Sequence, residues 1–263
     1  MSRSPYILLP PSESKEPGGR REAAPGFFDS ALASPREAVR DALAATLAGA
    51  SNDRISHVLN ARGAHLERAL AATRELIDET APVLPAWRRY NGVVWSHLDP
   101  ASLSPHGRRR ILIPSGVYGL TRGTDPVADY RLTMKVSLIG LGSVSKFWRA
   151  ALSPVLEDVT DAGVVSFLPR EHAAVLGPDL GRARRLVTVS FVRHDGEGVA
   201  GHDAKAVKGV VARHVLHEGV ESIEGFRWRG WRGTRRHDQY VVRAPRRDRG
   251  DDVETPAVRR SGR

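Results

Sequence analysis

The first apolar run, Tyr6-Ile-Leu-Leu9, is closed by Pro10-Pro11, which predicts a short buried strand. Ser12 to Gly26 mixes Pro, Gly and charge with little apolar content and reads as a loop. Three helical stretches follow. Ser34-Pro35 offers an N-cap and a first-turn proline for a helix through about Leu47. Alanines and leucines then recur at helical spacing over 52–61 and 64–79, until Pro82 and Pro85 break the pattern.

Beyond the prolines the pattern shortens. Tyr90-Asn-Gly-Val-Val-Trp95 reads as an aromatic-rich strand or turn, and Asp99-Pro100 as the start of a short helix ending near Gly107. Arg110 to Pro114 predicts a buried strand, Ser115-Gly-Val-Tyr-Gly119 the turn leaving it, and Asp129 to Val136 another strand. Ser143 or Ser145 caps a helix through about Asp158, bent at Pro154. Val164–Leu168 and Arg185–Arg193 are Val- and Phe-rich strands, His202–His217 a helix closed by Gly219, and Gln239–Arg243 a last short strand. Strands and helices interleave irregularly and without repeats. The expected fold is α+β, a single mixed domain over residues 1–243, rather than a regular doubly wound sheet. Residues 244–263 carry Arg, Asp, Gly and Pro with almost no apolar content and read as a basic disordered tail.

Composition changes this picture in one respect. In 263 residues, 41% apolar and 27% charged are ordinary globular values, but the formal charge of +10 and the pI near 10.6 are not. Such a surface gathers anions, and nucleic acid is the leading candidate partner. The absence of cysteine excludes disulfides, thiolate nucleophiles and Cys-based metal centres. The N-terminal apolar run is too short for a signal peptide, and no stretch approaches a membrane span, so a cytoplasmic protein without membrane contact is expected.

Several segments carry candidate chemistry. Gly225-Phe-Arg-Trp-Arg-Gly-Trp-Arg-Gly-Thr-Arg-Arg236 interleaves arginines, Arg227 and Arg229 among them, with aromatics and glycines. Guanidinium groups bind phosphates and indole faces stack on bases, although a solvated basic loop with core tryptophans has the same composition. Lys205 and Lys208, three apart on one helix with Arg213 beyond them, form a second basic element or a solvated face. Leu138-Ile-Gly-Leu-Gly142, before Ser-Val-Ser-Lys146, lacks phosphate-loop spacing. It fits either the hairpin of a helix-hairpin-helix or a tight turn before a capped helix. His214 and His217 lie one helical turn apart without an evident third ligand, so no metal or other cofactor is expected. Glu171-His172 reads as an acid/base pair beside a strand end or as the exposed start of a helix.

Taken in order, the motifs resemble the YaaA family of peroxide stress proteins. Ile7-Leu-Leu-Pro-Pro-Ser-Glu-Ser-Lys15 is similar to that family's N-terminal signature. The resemblance continues through Tyr90-Asn-Gly92 and Trp95, and is densest at Pro114-Ser-Gly-Val-Tyr-Gly-Leu120, Asp125-Pro126 and Tyr130-Arg-Leu-Thr-Met134. It then runs through Lys146-Phe-Trp148, Ala204-Lys205, Lys208-Gly209, Arg213 and Gly225-Phe226, covering roughly residues 6 to 243. The resemblance implies one α+β domain with a positively charged cleft, DNA binding, and protection against oxidative damage, in part by limiting free intracellular iron. Carried over by position, Ser12, Lys15, Tyr90, Ser115, Tyr118, Arg131, Lys146, Lys205, Lys208 and Arg213 are candidates to line the cleft. Phe167-Leu-Pro-Arg-Glu171-His172 departs from the family's acidic, Ser-containing turn ending in Glu-Tyr but keeps the glutamate. Asn91 and Val93 stand where the family has charged residues.

Two functions follow. One is a DNA-binding protective protein whose partner is double-stranded or distorted DNA, held by its backbone in a basic cleft. The other is an enzyme on a nucleoside, nucleotide or other small anion, with Lys15 as phosphate anchor or nucleophile and Glu171 as acid or base. Geometry separates them. Convergence of Lys15, Arg131 and Glu171 in a deep pocket favours the enzyme, and an open basic groove favours DNA.

Overall fold

Strand β1 (Tyr6–Leu8) lies between two parallel partners, β3 (Ile111–Ser115) and β8 (Val164–Ser166), and pairs along its whole length with β8 and at Ile7 and Leu8 with β3 in the computed structural model. The structure describes residues 4–181, 185–198, 201–237 and 239–246. From β8 the parallel run continues through β9 (Leu186–Val192) to β12 (Gln239–Arg243). Antiparallel strands finish the edges: β4 (Gly119–Arg122) beside β3, and β11 (Trp231–Arg236) then β10 (Arg227–Trp228) beside β12. The eight-stranded order is β10-β11-β12-β9-β8-β1-β3-β4.

The irregular interleaving therefore conceals a more regular centre than the sequence suggested. Counted along the chain, the five parallel strands run in the order second, first, third, fourth, fifth. The chain leaves β1 in one direction and later returns to its other side, as in doubly wound sheets. Every residue of β3 and β8 is buried, as a parallel sheet covered on both faces requires.

The helices are α1 (Asp29–Leu47), α2 (Asn52–Leu59), α3 (Ala64–Ile77), α4 (Ala86–Arg89), α5 (Val93–Leu98), α6 (Pro105–Arg109), α7 (Val144–Asp161), α8 (Arg170–Gly181) and α9 (His202–Glu218). Short strands β2 (Val83–Pro85) and β5 (Pro126–Ala128) pair with each other, as do β6 (Ser137–Leu138) and β7 (Gly142–Ser143). Helix α7 packs on α1, α8 and β4, whereas α5 packs on α9. The α9–α5 contact is close at Gly209, where a Cβ would overlap the Val94 carbonyl and lie 2.8 Å from the Leu98 nitrogen.

Four local expectations change. Helix α1 starts at Asp29, not at the Ser34-Pro35 cap, and Pro35 lies inside it. Leu32 belongs to the same buried stripe as Val39 and Leu43, so burial extends the helix past the proline, and Asp29 in its first turn accepts the amide of Gly26 from the preceding loop at 2.6 Å. Val93–Trp95 opens a helix rather than a strand, with Val94, Trp95 and Leu98 buried. Residues 129–136 alternate correctly, with Tyr130, Leu132, Met134 and Val136 inside, but belong to no named strand. The Ile139-Gly-Leu-Gly142 turn joins β6 to β7 and leads into α7, capped by Ser143; the elements before it are strands, so a helix-hairpin-helix is not built. Most of the expected tail, 247–263, lies outside the described residues.

Candidate functional site

A cavity of about 510 Å³ opens where the parallel strands end. Its wall takes Pro11 to Glu13 and Lys15 from the loop after β1, Pro114 and Gly116 from the end of β3, and His172 and Ala174 beyond β8. Residues 130–136 close one side, and His57, Leu59 and Asn60 another. This is the carboxyl-end crevice at the point where strand order reverses, the usual ligand position in open parallel sheets.

The loop after β1 is anchored through its backbone. Arg89 is fully buried and donates to the carbonyl oxygens of Val127 at 2.9 Å, Gly18 at 2.9 Å, Pro82 at 2.8 Å, and Glu16. Arg68 donates to the Lys15 carbonyl and to Asp129, both at 3.1 Å. The Trp95 indole N–H donates to the Pro10 carbonyl at 3.1 Å. A Cβ at Gly92 would come within 2.8 Å of the Ser12 side chain, so the Tyr90-Asn-Gly segment supports the loop by close approach.

Lys15 is 6% exposed. Its Nζ donates to the Ser12 carbonyl at 3.1 Å and sits 4.1 Å from the centre of the Tyr130 ring and 5.5 Å from that of Tyr90. Burial pulls the amine down to about 7; Asp129 and Glu13 oppose this, while Arg131 and Arg89 add to it. Behind it, the Tyr130 hydroxyl meets Ser115 Oγ at 2.7 Å and the Tyr90 hydroxyl at 3.0 Å. Burial pushes Tyr130 up to about 12 and Tyr90 well above its ordinary value, so all three hydroxyls stay protonated.

The predicted residues divide into three sets. Ser12, Lys15 and Arg131 line the cavity. Tyr90, Ser115 and Tyr118 form its buried support: Ser115 accepts the Tyr118 amide at 3.0 Å, and the Tyr118 hydroxyl accepts the Ala128 amide at 3.0 Å. The others stand apart. Lys146 is exposed in the first turn of α7, outside the lining, although its neighbours Ser145 and Arg149 belong to it. Lys205 is exposed, Lys208 packs 5.4 Å from the Phe191 ring centre, and Arg213 pairs with Asp99 at 3.6 Å. Lys208 is pulled down to about 8, by burial first and then by Lys205. Arg227 and Arg229 belong to the β10–β11 hairpin at the far edge of the sheet. The basic residues thus do not share one cleft. Glu171 lies in α8, and its side chain is outside the described residues.

Sequence reasoning missed Arg89, Arg68 and Asp129, which hold the Lys15 loop. Their signal is weak because an arginine bound to carbonyl groups looks, in sequence, like any surface arginine. It also missed Tyr130 as a site residue, although the Tyr130-Arg131 motif was in view. Among the described residues no group of three His, Asp or Glu side chains gathers to hold a metal ion. No helix among them is long and apolar enough to cross a membrane.

Comparison with known proteins agrees with this arrangement of motifs. The family model for peroxide stress protein YaaA matches residues 6–236. A UPF0246 protein of Streptomyces coelicolor is 35% identical over 240 residues, covering 86% of this chain and 90% of the relative. One from Corynebacterium efficiens is 31% identical over 210 residues, covering 79% and 83%.

Proposed function

This chain belongs to the YaaA family of peroxide stress proteins, and from that premise we propose that its working site is the Lys15 cavity, which captures a small anion such as a nucleotide. One observation carries the reading: Lys15 and Arg131 converge on a single cavity at the sheet's switch point, while Lys205, Lys208 and Arg213 lie outside it. Lys135, Arg149, His57 and His172 add to the basic wall, against one carboxylate, Glu13, which is drawn toward Arg131 at 3.8 Å. Volume and charge suit a nucleotide-sized ligand. Within that ligand's reach, Arg131 binds the anionic group and Lys15 serves as a second cation or as a nucleophile.

DNA binding is the second reading, and a different surface favours it. Arg227 opposes Arg232 across β10 and β11, and Arg232 opposes Arg243 across β11 and β12, so three guanidinium side chains form a row on one face of the sheet. Arg227, Arg232 and Arg236 are exposed. Such a row suits the evenly spaced phosphates of a nucleic acid backbone.

The two readings separate in one experiment. Purified protein is titrated with AMP and with short duplex, bulged and single-stranded DNA over a salt series, with each competing against the other. Saturable AMP binding that disappears in Arg131→Ala and survives DNA saturation supports the cavity reading. Steeply salt-dependent DNA binding that AMP displaces, with no separate AMP site, would overturn it. Survival of peroxide challenge by cells carrying Lys15→Ala, against wild type, connects the cavity to the protective role.

A further inference from the structure

We propose that Lys15 is an imine-forming amine and that the cavity takes a small carbonyl compound bearing a carboxylate or phosphate. The inference rests on the small-anion reading of the cavity and adds a covalent step to it.

A lysine buried for structural reasons normally has a carboxylate partner, because an isolated buried cation is costly. Here the two nearby carboxylates are engaged elsewhere: Asp129 with Arg68 at 3.1 Å and Glu13 with Arg131 at 3.8 Å. Among the described residues Lys15 makes no ion pair, and its one hydrogen bond goes to the Ser12 carbonyl. Its backbone is nevertheless held in place, since Arg68 binds its own carbonyl and Arg89 that of the next residue, Glu16. The side chain reaches the cavity wall between two tyrosine rings. A fixed, desolvated amine with no carboxylate in ion-pair contact is poorly arranged as a permanent phosphate clamp and well arranged as a nucleophile. The amine's depressed proton affinity agrees, since a large fraction carries a free lone pair at neutral pH.

In the step, the Nζ lone pair attacks the carbonyl carbon and forms a C–N bond. The carbonyl oxygen gains a proton and the nitrogen loses one, giving a carbinolamine. The nitrogen then gives up its second proton to that hydroxyl, which leaves as water as the C=N bond forms. Nothing is oxidised or reduced, and water is the only product released. Arg131, on the same wall, holds the substrate's anionic group.

The chain has only five lysines, Lys15, Lys135, Lys146, Lys205 and Lys208, which makes the test direct. Wild-type protein is incubated with glyoxylate or, separately, ribose 5-phosphate, reduced with sodium borohydride, and mapped by peptide mass spectrometry. The reduced adduct is expected on Lys15 in at least about tenfold preference over the exposed Lys135, Lys146 and Lys205, and about fivefold over Lys208, because neutral amine is the reactive form. Inorganic phosphate should suppress it. Adducts spread evenly over the exposed Lys135, Lys146 and Lys205, or absent from Lys15, overturn the proposal. Calorimetric titration with ribitol 5-phosphate, which has no carbonyl, separates the two levels. Binding without any trapped Lys15 adduct leaves the small-anion reading standing and removes the imine. Neither binding nor trapping removes both. Because the wild-type chain is mapped, no outcome depends on a variant that fails to fold.

Discussion

Lys15 gives the molecule a pH dependence whose sign can be worked out. Its folded-state affinity for a proton is held down to about 7, against 10.5 for an ordinary lysine, mainly by burial. The groups facing it are Asp129 and Glu13, which favour the charged amine, Arg131 and Arg89, which disfavour it, and the neutral Tyr90 and Tyr130. Between about 7 and 10.5 the unfolded chain holds the proton and the folded chain does not. Stability from this group therefore rises with pH across that window, by at most about 1.4 kcal/mol per pH unit. Below it the folded chain must bury a charged amine, and the cost is present in full. Lys15→Met removes the dependence. Denaturant unfolding of both proteins at pH 7 and pH 9 should show wild type gaining on the variant at the higher pH; parallel behaviour would mean that the amine is not desolvated. Arg89 works in the opposite sense, as a charge satisfied by four carbonyl groups. Arg89→Ala strands those acceptors, and a loss of about 3–5 kcal/mol is expected in the same unfolding assay. Ligand binding should fall with it, because the Lys15 loop loses its anchor.

Between elements, packing overrides local preference, and Gly209 makes that testable. On helix propensity alone Gly209→Ala in α9 should stabilise by about 1 kcal/mol. The added Cβ, however, would overlap the Val94 carbonyl of α5, so the two helices must separate. A net destabilisation of about 1–3 kcal/mol is expected, read from the urea midpoint. A stabilised variant would show that α5 and α9 are less tightly seated. The same competition explains what was legible in the sequence. The β3 and β8 segments announced themselves because strands buried on both faces must be apolar runs, and β9 and β12 because Val, Phe and Tyr suit a half-buried strand. Residues 129–136 misled because the alternation that marks a strand also serves a segment lining a cavity, with Tyr130 and Leu132 inward and Arg131 and Thr133 less buried. The β10–β11 hairpin was hidden because five arginines dominate its composition, and only Trp231 and Gly233 are buried. For the site, resemblance brought Ser12, Lys15 and Arg131 into view together. It could not separate them from Lys205 or Arg213, since order along the chain says nothing about which motifs meet. Arg89 was beyond reach because its role rests on carbonyl groups from three separate segments.

At the scale of the molecule, the high positive charge is divided between two surfaces with different chemistry. The cavity shelters Lys15 and partly Arg131, and the sheet edge displays its cations in the Arg227–Arg232–Arg243 row, where Arg243 also donates to the His194 carbonyl at 2.8 Å. Enclosed charges act at short range and are screened little by salt, whereas displayed charges bind polyanions through counterion release. Their responses to salt and to mutation should therefore be separable. Replacing Arg227 and Arg232 with Gln should weaken nucleic acid binding about equally for all sequences. It should also lower the slope of log affinity against log salt by about 1 for each phosphate no longer neutralised. AMP binding in the cavity should stay within about a factor of two, because the two residues lie at the opposite end of the strand order from β3. Arg131→Gln should give the reverse pattern. The readout is fluorescence anisotropy of labelled DNA and calorimetry with AMP, both over the same salt series. If Arg131→Gln alone flattened the DNA salt slope, the cavity and the nucleic acid path would be one continuous site. The positive charge would then serve a single polyanion, not two separate partners.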